Sequence, residues 1–184
     1  KEKEMSIVFV AREVNAAVVR GFLNSLAMDL VNRLVAEKIV SARAQAVVRE
    51  GLPLTDYGLA VQRWVTPALV ANTLTVYVNN ALGQRRYAAF YGIANRSSTP
   101  GISAVQFQLG VAANTLDYIE IDQIYTEIQP SCYLQTPVLY KPGETVYIQV
   151  YPQFTPTEQL VLRNFVAEPS GQVSAPRLET RLIG

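Results

Sequence analysis

Thr145-Val146-Tyr147-Ile148-Gln149-Val150-Tyr151 alternates apolar with polar or aromatic side chains at a period of two, the spacing of a strand that buries one face. Leu74-Thr75-Val76-Tyr77-Val78 carries the same pattern earlier in the chain. Upstream of residue 52 the grammar differs: Val19, Leu23, Leu26, Leu30 and Leu34 recur at steps of three and four, while Phe22, Val31, Val35 and Ile39 widen the apolar stripe. The reading is a helical segment across 11–49 ahead of a β-rich body. Gly51-Leu52-Pro53 is read as its terminator, with glycine suited to a left-handed cap and proline unable to continue a helix.

Beyond residue 60, strand-like runs fall at 61–66, 73–79, 86–93, 102–109, 118–128, 133–140, 144–151 and 158–166. Asn79-Asn80-Ala81-Leu82-Gly83, Ser97-Ser98-Thr99-Pro100-Gly101, Gln129-Pro130-Ser131 and Lys141-Pro142-Gly143 separate them with turn-forming residues. Short strands at even spacing, without helices between them, predict a mainly β chain: an antiparallel β-sandwich of jelly-roll type preceded by an N-terminal helical arm. The expected organisation is an arm over 1–52, a sandwich over 53–168, and an extended C-terminal strap over 169–184 that ends in the apolar Leu182-Ile183. Within the sandwich, Val105, Phe107 and Leu109 are predicted to face the core with Val146, Ile148 and Val150, and Gln106, Gln108, Tyr147, Gln149 and Tyr151 to face away.

The chain has 184 residues, of which 49% are hydrophobic and 17% charged, a composition that folds without disulfides. A formal net charge of +1 does not suit a protein that neutralises phosphates, so nucleic acid is not an expected partner. The charged residues Arg12, Arg20, Asp29 and Arg33 interrupt the first apolar stretch, so neither a membrane span nor a signal peptide is expected. Arginine outnumbers lysine 12 to 4, and histidine is absent, which fits a thermophilic host or a high-GC source.

Catalytic chemistry has little to work with. Without histidine, a serine or cysteine nucleophile lacks its usual base and the common zinc sites lack half their ligands. No phosphate-cradling glycine motif occurs. Asp117, Glu120, Asp122 and Glu127 form the one acidic grouping; it reads as a solvated strand face before it reads as an acid pair or a cation site. Trp64 near Tyr57 fits packing ahead of sugar stacking, Cys132 fits a small buried hydrophobe, and the glycosylation triplet Asn95-Arg96-Ser97 is too short to weigh. No metal, cofactor or catalytic residue is expected, and the protein is read as non-enzymatic.

Two surfaces invite association. The helix carries more apolar surface than one surface helix needs, and from Ser97 to Tyr140 there is no lysine or arginine, which leaves outward Gln, Thr, Ser and Tyr of the kind common at interfaces. Phe22, Leu26, Leu30 and Leu34 are the expected arm contact, with Tyr147 and Tyr151 for a lateral one. Burial of the helix against its own β-body is the competing reading of the first four.

From Tyr87 to Tyr151 the order is Tyr91-Gly92-Ile93, a Ser/Thr/Pro-rich turn, Ala104-Val105-Gln106-Phe107-Gln108-Leu109-Gly110, Ile119-Glu120-Ile121, Pro137-Val138-Leu139-Tyr140, Pro142-Gly143 and Val146-Tyr147-Ile148-Gln149-Val150-Tyr151. This resembles the small jelly-roll structural proteins of bacteriophage and related icosahedral virus particles, among them single-barrel capsid proteins and capsid decoration, or cement, proteins. The resemblance implies a virion protein that self-associates, as a trimer before a dimer, and docks on other capsid proteins. A carbohydrate- or receptor-binding sandwich of a phage fibre or cell-surface protein is the alternative.

Overall fold

The structure, a computed structural model, describes residues 8–9, 16–110, 114–121, 131–155 and 157–172. Helix α1 spans Ala16–Ala36, shorter than the sequence pattern suggests. It stops well before Gly51, because Lys38 adopts a left-handed φ of 57°. Lys38 N–H donates to the Val35 carbonyl at 3.0 Å and Ile39 N–H to that of Leu34 at 2.9 Å, the paired bonds of a Schellman cap. Leu34 and Ile39 join one apolar cluster, the contact that accompanies this cap.

After a 3-10 turn at Arg43–Gln45, the residues Ala46–Glu50 form strand β2, although their spacing places them in the helical stretch. Five residues are too few for periodicity to separate a strand from a helix, and the β-branched Val47 and Val48 decide for the strand. Pro53, read as a helix stop, opens the short helix α2, Pro53–Tyr57, where its missing N–H costs nothing. Gly58 closes that helix at φ 67°.

Seven further strands follow: β3 (Thr75–Ala81), β4 (Tyr87–Asn95), β5 (Ile102–Leu109), β6 (Asn114–Glu120), β7 (Ser131–Tyr140), β8 (Thr145–Pro152) and β9 (Leu160–Pro169). Six of the eight expected runs correspond to them; the expected run 118–128 meets β6 only over 118–120, and its residues 122–128 lie outside the described residues. The run 61–66 is not a strand. Leu59, Trp64 and Leu69 on and around it turn inward to the core, while Thr66 N–H bonds the Glu158 carbonyl at 2.9 Å. A two-residue strand β1, Val8–Phe9, is added at the other end of the chain.

All pairings are antiparallel, in a five-stranded sheet of order β1-β7-β4-β9-β2 and a four-stranded sheet of order β3-β8-β5-β6. The chain is therefore mainly β, a two-sheet sandwich with an N-terminal helix, as expected. Early strands pair with late ones in nested fashion: β2 with β9, β3 with β8, β4 with β7 and β5 with β6. Successive nested pairs fall in alternate sheets.

The core lies between the sheets. Val105, Phe107, Val146, Ile148 and Val150 are all 0% exposed, and Val105↔Val150 and Phe107↔Ile148 sit opposite each other, as the alternation predicts. Leu109 is only partly buried but packs on the same cluster. Phe90 on β4 links the layers, with its ring 5.3 Å from Tyr57, 5.4 Å from Phe107 and 5.8 Å from Tyr140.

Three core tyrosines end on acceptors. Tyr57 Oη donates to Asn164 Oδ1 at 2.5 Å, Tyr77 Oη to the Leu160 carbonyl at 2.7 Å, and Tyr140 Oη to the Gln108 carbonyl at 2.9 Å. Burial pushes all three hydroxyls well above the ordinary tyrosine range, since a phenolate there would lose both water and its role as donor. The unfolded chain ionises these groups near pH 10, so the stability they give is complete below that pH and is lost as pH rises toward their folded values. Phenolate absorbance should accordingly show a cooperative, unfolding-linked step above about pH 10, rather than independent titration. Free ionisation of all 10 tyrosines with the fold intact would contradict this packing.

Candidate functional site

Three features are built into this fold: a helix-covered sheet face, a buried ring of charges and an outer sheet face of uncharged residues. The first settles where the expected arm contacts lie. Helix α1 packs on the outer face of the five-stranded sheet, where Leu30 and Leu34 are 0% exposed among Tyr87, Ala89 and Ala167. These two leucines were expected at a contact between subunits; they are consumed within the chain. Leu26 packs at the edge of the same cluster, and Phe22 is half-buried. Small residues explain the close approach, because β4 presents Ala89 and β9 presents Ala167 beneath the helix. The side of α1 turned away from the sheet stays open, with Val18 69% and Met28 47% exposed.

The ring of charges joins β2, α2, β9 and the residue just before β4. Arg49 donates through Nε to Glu168 Oε1 at 2.7 Å and through its two terminal nitrogens to Asp56 at 2.7 and 2.9 Å. Arg86 completes the circuit, 3.4 Å from Asp56 Oδ1 and with Nε 2.7 Å from Glu168 Oε2. Both carboxylates are fully buried. Asp56 also accepts the Leu52 N–H at 2.7 Å, which fixes the entry of α2. Burial alone would lower the pKa of Arg49, but its hydrogen bonds to Asp56 and Glu168 outweigh that and raise it above the ordinary arginine value. Alternating cations and anions in a closed circuit leave no lone charge to act on a substrate, so the ring belongs to the fold. One sequence signal points to it: Glu168 sits in the otherwise apolar Val166-Ala167-Glu168-Pro169, where a carboxylate needs a buried partner.

Next to the ring, Asn164 Oδ1 accepts the Gly51 N–H at 3.1 Å as well as the Tyr57 hydroxyl. A Cβ on Gly51 would lie 2.1 Å from that same oxygen, which is why glycine stands there.

The other sequence candidates scatter. Trp64 packs 5.4 Å from Tyr57 and 6.1 Å from Tyr77 at the core edge, so it is no open stacking platform. Asn95 is 1% exposed and donates to Glu158 Oε2 at 2.5 Å, a position closed to glycosylation in the folded chain. Cys132 is buried, and burial raises its thiol to about 11. Glu120 lies exposed on β6, while Asp122 and Glu127 fall outside the described residues. Among the described residues, no group of three or more candidate ligands could hold a metal. Nor, among them, is any helix long and apolar enough to cross a membrane.

The outer face of the four-stranded sheet is the remaining candidate. Register places Val76 beside Gln149, Gln149 beside Gln106, and Gln106 beside Tyr118, one row across all four strands. Its ends are open, with Val76 39% and Tyr118 47% exposed. Gln106 Nε2 donates to Thr115 Oγ1 at 2.9 Å, which orients that amide. Of the residues predicted for a lateral contact, Tyr147 is only 8% exposed and offers little surface, while Tyr151 is half-buried. The sequence reading missed Val76 and Tyr118: Val76 shares the apolar phase of Leu74 and Val78, and only the irregularity between Val76 and Val78 places it on the outer face. Among the described residues, Glu120 at the margin is the one charge on the outward positions of these strands. No protein-family model matches this chain, and no significantly similar curated protein or solved structure was found.

Proposed function

We propose that this chain is a virion structural protein that self-associates and binds a capsid lattice, as a capsid, minor capsid or decoration (cement) component, without catalysis. The strand order carries the proposal. Eight strands, β2 to β9, nested as early-with-late pairs in alternate sheets, favour the jelly-roll type, an architecture that serves in viral capsids and in lectins. Fold alone does not assign function, so the surface chemistry has to agree with it. It does: a nearly uncharged sheet face and a half-open apolar helix suit protein partners, and the packing of Trp64 on Tyr57 and Tyr77 at the core edge weakens the glycan-binding alternative.

The partners under this reading are copies of the same chain, as a trimer ahead of a dimer, and neighbouring capsid proteins; the location is the virion. Sedimentation velocity of the full chain over a wide concentration range tests the self-association. Species larger than one chain should grow with concentration. A single-chain species at every concentration would remove the proposal.

A further inference from the structure

We infer that Glu158 is an acid-released latch: its buried side chain and peptide tie together three connections that cross between the sheets at one end of the sandwich, and protonation frees that end. The inference does not depend on the capsid reading.

The connections run over 58–74 ahead of β3, over 96–101 between β4 and β5, and over 153–159 between β8 and β9. Glu158 is 1% exposed among them. Its Oε1 accepts the Gly101 N–H at 2.9 Å, and its Oε2 accepts a proton of Asn95 Nδ2 at 2.5 Å. Its peptide is bonded both ways to Thr66, donating to Oγ1 at 2.9 Å and accepting the Thr66 N–H at 2.9 Å. One residue thus holds all three segments. Further bonds lean on this closure: Asn95 Oδ1 accepts the Ser97 N–H at 3.0 Å, and Ser97 Oγ accepts the Gln159 N–H at 2.8 Å.

The kind of partner makes the latch sensitive to protons. Asp56 and Glu168, the buried carboxylates of the charge ring, are paired with arginines, the usual condition for a charge away from water. Glu158 makes no ion pair among the described residues. Arg63 and Arg96, the charged side chains on the connections around it, are exposed. On β9, Arg163 lies over the Tyr133 ring and Glu168 belongs to the charge ring; β5 carries no ionisable side chain. Tyr77 on β3 and Tyr91 on β4 are uncharged at neutral and acid pH, since burial raises both hydroxyls.

Both partners of the carboxylate are donors, so a proton on either oxygen meets an N–H. Turning the Asn95 amide brings no relief, because it would take Oδ1 away from Ser97. The ionised form therefore makes both bonds while the protonated form gives one up, and protons favour the open end. Opening also unseats the Phe154 ring, packed so closely on Gly101 that a Cβ there would lie 2.1 Å from Cζ. Acid then exposes apolar surface at this end alone.

Amide hydrogen exchange on the full chain tests it, read as protection relative to free peptide so that the pH dependence of the exchange chemistry cancels. Glu158→Gln mimics the protonated acid by placing an NH₂ where an oxygen accepts, and should lower protection at Ser97, Gly101 and Gln159 about tenfold or more at neutral pH. In the parent chain the same amides should lose about threefold or more between neutral pH and about pH 4, whereas the variant should not respond. At the opposite end, Gly110 N–H, bonded to the Thr145 carbonyl at 3.1 Å, should keep its protection in both chains. Unchanged protection in the variant, a variant that responds to acid as the parent does, or an equal loss at Gly110 would each overturn the latch. If the variant does not fold, the parent chain decides alone: acid loss confined to the Glu158 end supports the latch, and no loss or an even loss refutes it.

Discussion

Asp56→Ala should destabilise the folded chain by about 3–5 kcal/mol, the usual cost of removing one partner from a buried ion pair. The loss is large because three groups are stranded together. Arg49 loses two hydrogen bonds, Arg86 loses one of its two carboxylate neighbours, and the Leu52 N–H loses its acceptor at the start of α2. Arg49 and Arg86 are respectively 15% and 19% exposed at the side chain, so water replaces the carboxylate poorly. Replacing the whole ring with apolar residues of similar volume should cost far less than breaking it. Urea unfolding of Asp56→Ala and of a combined apolar variant measures the difference. Equal, small losses in both would mean that the ring contributes little.

Leu34→Ala should cost about 2–5 kcal/mol, the range for emptying a fully buried leucine site. Leu34 is 0% exposed and takes part in both the helix cap and the cluster beneath α1, so the cavity has tight walls on every side. The location of the loss matters more than its size. If α1 covers its own sheet, stability falls independently of protein concentration. If the helix were a free arm that folds onto a neighbour, the variant would keep its dilute stability and lose association instead. Truncation is the poorer experiment, since removing residues 1–50 also removes β2, the edge strand paired with β9 from Ala46↔Pro169 to Glu50↔Phe165.

What was legible in the sequence follows the range of the forces involved. Period-two alternation fixed the inward faces of β5 and β8, because facing is a local property of a strand. Strand β2 escaped notice because Ala46-Val47-Val48-Arg49-Glu50 follows an apolar helix and is too short to show a period of its own. Gly51-Leu52-Pro53 was read with the right punctuation and the wrong direction: proline at a boundary marks a start as readily as a stop. Leu30 and Leu34 looked like interface residues since hydropathy reports that a face is buried, not which chain buries it. The charge ring brings Arg49 to Glu168 across most of the chain, a pairing that only the fold creates. The row across the four-stranded sheet needs register between four strands, which single-strand patterns do not contain.

If this polypeptide is a component of a virus particle, as proposed above, quantitative mass spectrometry of particles purified from the source to a constant protein-to-genome ratio should find it in many copies per particle, at a fixed ratio to the major shell protein and retained through a density gradient. Absence from purified particles, together with recovery as a free single-chain protein, would overturn the virion assignment.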